Sequence, residues 1–270
     1  MLSKLMKYEW KACARACLPI YGAALVVALV NRLLSVLGLE SALGGMPTMI
    51  AAMVYFGVMV AVFVVTAVIL IQRFYKSLLG DEGYLMFTLP ATAGQHIWAK
   101  SIIALVMCML SGVAAILSVV ILAAQSSLPQ DILNLFTGFF RMFHESEFGV
   151  VNGVLYGLEV LAFALLSGLF SVLFIYLCIA LGHMAKKHRV AMAIIWYFVL
   201  STVVQIVVSV VLLGSGNGTA FELLFGWISR MPAAASIHVA MLLMCICAAI
   251  PTAVCFFGTR YILQNKLNLE

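Results

Sequence analysis

The sequence predicts an all-α, polytopic membrane protein with six transmembrane helices, an N-terminal interfacial helix and a cytoplasmic elbow. Three observations predict it. Hydrophobic residues make up 65% of the 270 and charged residues only 9%, whereas soluble domains carry about a quarter charged residues. Too few polar side chains remain to cover a water-facing surface. Apolar runs of about 18 residues or more, the length a membrane-crossing helix needs, recur along the chain. Lysine and arginine gather on alternate connections, twelve of fifteen on one side, which predicts that this side faces the cytoplasm.

Residues 1–17 begin the chain with Lys4, Lys7, Lys11 and Arg15 on one helical face. Leu2, Met6, Trp10, Cys13 and Cys17 take another. That pattern predicts an interfacial helix on the inner leaflet, either a plain lipid anchor or one that also touches a cytoplasmic partner. The basic part is long and no small-residue cleavage site follows a short apolar core, so no cleavable signal is expected. Spans follow near 18–37, 49–71, 102–124, 150–181, 190–213 and 237–258, within a single transmembrane domain over 1–270. The fourth run exceeds a hydrocarbon core of roughly 30 Å at about 1.5 Å per residue, and one tilted or projecting helix is expected there. Both termini are predicted to be cytoplasmic, in a bacterial plasma membrane. The net charge of +5 reflects this bias toward one membrane face; no basic–aromatic patch points to nucleic acid.

The connection 74–100 is the longest polar stretch on the cytoplasmic side. GQHIWAKS is one substitution away from GxxxxGK[ST], but Ala99 stands at the second glycine, and Ile97 and Trp98 crowd the loop. The phosphate-cradling geometry also needs a preceding strand, which the pattern does not supply. Pro90 ends a segment, and Thr92-Ala93-Gly94-Gln95 reads as a capping box opening the third span. Gly80-Asp81-Glu82-Gly83 is an acidic turn and Tyr84-Leu85-Met86-Phe87 is apolar. A compact elbow for docking and an ordinary acidic loop both fit.

The outer connections, 125–149 and 214–236, hold two apolar segments. Ile132, Leu135, Phe136, Phe139, Phe140 and Phe143 form one helical stripe, predicting an amphipathic helix on the outer leaflet that serves as a membrane rest or handles amphiphilic cargo. Phe221 to Ile228 is too short to span. Inside the fourth span, Asn152, Tyr156 and Glu159 share a face; an acid in hydrocarbon faces protein or a water-filled cavity, as substrate or gate residue or as a structural hydrogen bond. Gly149, Gly153 and Gly157 nearby permit a close intramolecular or dimer contact. Most cysteines lie within spans and none has paired CxxC spacing, so they read as small hydrophobes, with neither catalysis nor metal implied. Asn217-Gly218-Thr219 matches a three-residue glycosylation pattern too short to carry weight.

The elbow sequence LGDEGYLMFTLPATAGQHIWAK resembles the cytoplasmic elbow of permease subunits of bacterial ABC transporters of the ABC-2-type exporter class, and RYILQNKLNLE resembles the tails of such permeases from Gram-positive bacteria. The interfacial helix, six spans and external fifth connection agree with that layout; the loop holding Arg141 is longer than a minimal permease needs. The resemblance implies a homo- or heterodimer of permeases, each half receiving an ATP-binding cassette subunit on its elbow. Lys76, Leu79, Asp81, Glu82, Gly83 and Tyr84 become the docking surface. ATP and Mg would be bound by that partner; this chain is expected to bind no cofactor and not to be an enzyme by itself. The resemblance also implies a re-entrant hairpin near Phe221 acting as an outer gate.

The implied activity is ATP-driven export or extraction of an amphiphilic or hydrophobic substrate, such as an antimicrobial peptide, a lipid or a drug. The rival is an accessory or sensory membrane subunit that scaffolds a cytoplasmic partner. A secondary transporter would need broken or polar mid-membrane helices, for which Pro251 is the best candidate. An intramembrane enzyme would need a nucleophile–base set or metal ligands, and His144-Glu145-Ser146-Glu147 lacks the second histidine of HExxH.

Overall fold

The computed structural model describes residues 2–37, 46–79, 92–123, 130, 133–134, 137–138, 149–185, 188–213 and 226–265. They are helical nearly throughout, with no strand among them. Six helices dominate: α1 Leu2–Val36, α2 Met46–Phe74, α3 Ala93–Ala123, α4 Gly149–His183, α5 Arg189–Leu213 and α6 Ala233–Asn265. Each is long and apolar enough to cross a membrane, which marks a multi-pass membrane protein. Their backbone polar groups are bonded within each helix, as hydrocarbon requires.

Two compact units divide the chain, 1–76 with 98–139 and 77–97 with 140–270. In the first, α1 packs on α2 through a face of small residues. Cys13, Cys17, Ala24 and Ala28 are buried, with Tyr21 between them. Their spacing of three and four keeps them on one side of the helix, and their size lets backbones approach closely. On α2 the buried positions Val62, Thr66, Leu70 and Phe74 repeat every four residues, and on α3 Ala104, Met107, Ser111, Ala114 and Ser118 alternate three and four.

Hydroxyls make short-range bonds inside this core. Tyr21 Oη donates to the Met107 carbonyl at 3.1 Å, and Thr66 donates back to Val62 at 2.6 Å while lying 3.2 Å from Tyr21 Oη. Ser118 gives its proton to Ala115, so Tyr55 donates in the 2.8 Å contact with Ser118. Asn31 Nδ2 donates to the Ala51 carbonyl at 2.9 Å, tying the far end of α1 to α2.

The segment expected to be an interfacial helix and the expected first span form one continuous helix, Leu2–Val36, with Pro19 inside it. At 35 residues and about 1.5 Å per residue, α1 is longer than the hydrocarbon core is thick. Its buried side differs from the expected apolar stripe. Lys4, Lys7 and Lys11 are exposed as expected, but so is Trp10, and Glu9 is buried in its place. The physical reason is electrostatic: the α1 carboxylate faces two cations on α2 and α3, which turns Trp10 outward.

In the second unit, α4 packs against both α5 and α6. α4 and α5 approach closely at Gly182, where a Cβ would lie 2.5 Å from the backbone of Ala193. His188, just before α5, takes a left-handed φ of 54°, a strained conformation for a residue with a side chain. The start of α3 also belongs to this unit. Thr92 N–H donates to Gln95 Oε1 at 3.3 Å, the reciprocal half of the capping box read at that position.

Candidate functional site

Two clusters of ionisable side chains stand out, one in each unit. The first involves the elbow's flanks. Arg73 lies at the last turn of α2, and Lys100 lies in the second turn of α3; the chain between them holds the expected elbow, of which 80–91 lie outside the described residues. Glu9 of α1 receives both. Its Oε2 accepts from Arg73 Nη2 at 2.9 Å and from Arg73 Nε at 3.2 Å, while its Oε1 accepts from Lys100 Nζ. The Glu9 and Lys100 side chains are 8% and 4% exposed, against 33% for Arg73. This matters because a buried charge is tolerated only when paired and hydrogen-bonded.

All three residues lie outside the apolar stretches 18–37, 49–71 and 102–124. Two cations against one carboxylate leave the cluster with a net positive charge. Glu9 has no part in the pattern read from the sequence, and Lys100 enters it only as the end of the 74–100 connection. A signal existed: Glu9 is the only acid between Met1 and Leu37, set among exposed cations.

Beyond Arg73 the chain continues as a single π-helical turn, Tyr75–Leu79. Lys76 in that turn is exposed, and Ser77 and Leu78 are buried. Of the expected docking surface, Lys76 and the backbone of Leu79 are therefore described. Asp81, Glu82, Gly83 and Tyr84 lie outside the described residues. So do Phe136, Phe139 and Phe140 of the expected outer helix, and the 221–225 part of the expected hairpin.

The second cluster lies within α4 and α6. Glu159 Oε1 and His238 Nδ1 are 2.7 Å apart, with both side chains about one-fifth exposed. The Tyr156 ring stacks on the His238 ring at a centroid distance of 4.3 Å and an interplanar angle of 23°. Tyr156 Oη donates to the Ala234 carbonyl at 3.0 Å, so one side chain fixes both the imidazole plane and the α6 backbone. Glu159 Oε2 and His238 Nε2 are buried without a hydrogen-bond partner among the described residues.

Tyr156 and Glu159, expected on one face, are thus brought together; Asn152 is half-buried and makes no hydrogen bond to the pair. His238 was missed. The sequence signal that could have found it is depth: an acid inside one span seeks an ionisable or polar partner inside another, and His238 sits early in the sixth.

Between α4 and α5, Phe170, Ser171, Phe174, Tyr197 and Ser201 help to line a cavity of about 220 Å³. Phe174 meets Phe170 and Tyr197 at centroid distances of 5.5 and 5.6 Å, arrangements favoured by ring quadrupoles. Ser171 is already bonded to the Ser167 carbonyl at 2.9 Å. Among the described residues, no group of three or more His, Cys, Asp or Glu is arranged to hold a metal ion. In comparisons with known proteins, no family model, curated protein or solved structure matches the chain.

Proposed function

We propose that this chain is the permease subunit of an ATP-driven transporter of the ABC-2-type exporter class, moving an amphiphilic or hydrophobic substrate. A separate ATP-binding cassette subunit docks on the elbow between α2 and α3 and binds the ATP and Mg. The permease works as a dimer with a second copy or a related chain, in a bacterial plasma membrane with both termini inside. Six membrane-length helices and the resemblance of the elbow support this reading.

The observation that carries it is the Glu9 cluster. A connection that receives force from a partner needs firm roots, because a lever on a yielding base dissipates its movement locally. Arg73 and Lys100, one at each root, share a single carboxylate from a third helix. An ordinary loop has no such requirement. Docking itself falls to Lys76, Leu79, Gly83 and Tyr84 as packing and hydrogen-bonding contacts, with Asp81 and Glu82 steering toward a basic rim on the partner.

The test is purification of the tagged chain from its native host in mild detergent, with mass spectrometry of the accompanying polypeptides. A second preparation carries Asp81→Lys and Glu82→Lys together. An ATP-binding polypeptide is expected with the unaltered chain and lost with the double variant. Its absence from the unaltered chain, under conditions that preserve a permease dimer, would overturn the transporter reading and favour an accessory scaffold.

A further inference from the structure

We propose that Glu9 is a positioning residue that obliges α1 to move with the elbow, so that a displacement at the docking surface reaches the first membrane span. This inference rests on the permease reading and assigns it a route for movement. Three observations carry it: the identity of the residues in the cluster, their burial, and the continuity of α1.

Glu9 is the only acid between Met1 and Leu37, among Lys4, Lys7, Lys11 and Arg15, which are all exposed. The helix thus presents one carboxylate inward and its cations outward. Lys100 on α3 is almost wholly buried and Glu9 is its counter-charge. Were the roots of α2 and α3 to shift while α1 stayed behind, a buried ammonium and a buried carboxylate would lose each other, and Arg73 would lose two hydrogen bonds at once. Moving α1 along with the roots preserves every one of these contacts. Separation is therefore the expensive path, and concerted movement the accessible one.

The continuity of α1 extends the effect. Glu9 and the first span belong to one continuous helix, Leu2–Val36, whose backbone ladder lacks the bond that Pro19 cannot donate, and a shift at Glu9 is passed along its axis. Deeper in the same unit, Tyr21 Oη bonds to the Met107 carbonyl of α3, and Asn31 bonds to Ala51 of α2. Those contacts give α1 further fixed points about which it can rock or translate. The salt bridge at Glu9 is the outermost of these ties, nearest the elbow. An N-terminal helix that only anchored the chain to lipid would have no use for an inward-facing carboxylate.

The test is hydrogen–deuterium exchange on the complete assembly in phosphatidylethanolamine–phosphatidylglycerol nanodiscs, with and without trapping by Mg-ATP and orthovanadate. In the unaltered assembly, trapping is expected to change exchange several-fold both in peptides over 74–100 and in peptides over 2–17. With Glu9→Gln, the response over 74–100 persists and the response over 2–17 is lost. Exchanging the charges, Glu9→Lys with Lys100→Glu, returns a carboxylate between Arg73 and a cation on α1 and restores the response over 2–17.

A Glu9→Gln assembly whose 2–17 response equals that of the unaltered assembly overturns the inference while leaving the permease reading standing. No trapping response over 74–100 in the unaltered assembly overturns both. If Glu9→Gln does not fold, Glu9→Asp supplies the measurement: the shortened carboxylate keeps the charge but loosens contact with Lys100, and a response over 2–17 undiminished relative to 74–100 overturns the inference.

Discussion

Glu159 and His238 meet at 2.7 Å inside two helices that cross the membrane, and each is the other's only hydrogen-bonding side chain described there. Removing one partner leaves a polar group buried without a bond, which costs about 1–3 kcal/mol. His238→Ala is expected to lower stability by about that amount in detergent-solubilised protein, read from thermal unfolding. Glu159→Gln retains a carbonyl oxygen to accept from Nδ1–H and loses less than Glu159→Ala. Equal losses for Gln and Ala would show that hydrogen bonding is not what the acid contributes. At this scale the sequence was legible on one side of the pair only. An acid in an apolar run announces a partner, and periodicity places Tyr156 beside it. The partner's identity depends on which faces of α4 and α6 meet, and nothing local to Glu159 encodes that. Glu9 was obscured for a related reason: its cationic neighbours set the visible pattern, while Arg73 and Lys100 lie 64 and 91 residues away.

Among the elements, glycine separates two situations that look alike in sequence. Gly182 lies where α4 and α5 approach closely, and an added methyl would strike the Ala193 backbone. Gly182→Ala is expected to destabilise by about 1–3 kcal/mol, as overpacking does. Gly157, in the small-residue stripe of α4, has nothing within 4 Å of the corresponding position. Gly157→Ala should then be neutral or stabilising by up to about 1 kcal/mol, the difference in helix propensity. Thermal unfolding of both variants checks the contrast. A Gly157→Ala loss as large as that of Gly182→Ala would place the stripe against another chain. Helix type and number were legible because long apolar runs admit little else in a bilayer. The join at 17–18 was not, since a change from amphipathic to apolar sequence marks a change of surroundings and need not mark a break in the helix.

For the whole molecule, the proposed orientation rests on the distribution of lysine and arginine. It puts Lys76 inside and Ser229 outside. In a background with the seven native cysteines replaced by alanine, Lys76→Cys and Ser229→Cys should react oppositely with a membrane-impermeant maleimide. Ser229→Cys labels in intact cells, and Lys76→Cys only after permeabilisation; the reverse pattern would invert the topology and remove the elbow from any cytoplasmic partner. The Glu159–His238 pair has a further consequence, for biogenesis. Its members are 79 residues apart, so the ribosome delivers the acid long before the base. While α4 enters the bilayer, α6 has not been synthesised, and the carboxylate must be accepted without its partner. A charged residue at the centre of a span costs roughly 3 kcal/mol on the insertion scale, against a gain of about 0.3–0.6 kcal/mol for each Leu, Ile, Phe or Val. The Leu-, Val- and Phe-rich α4, 35 residues long, carries enough such residues to insert on its own. Its hydrophobicity thus lets the nascent helix wait in lipid until the imidazole arrives.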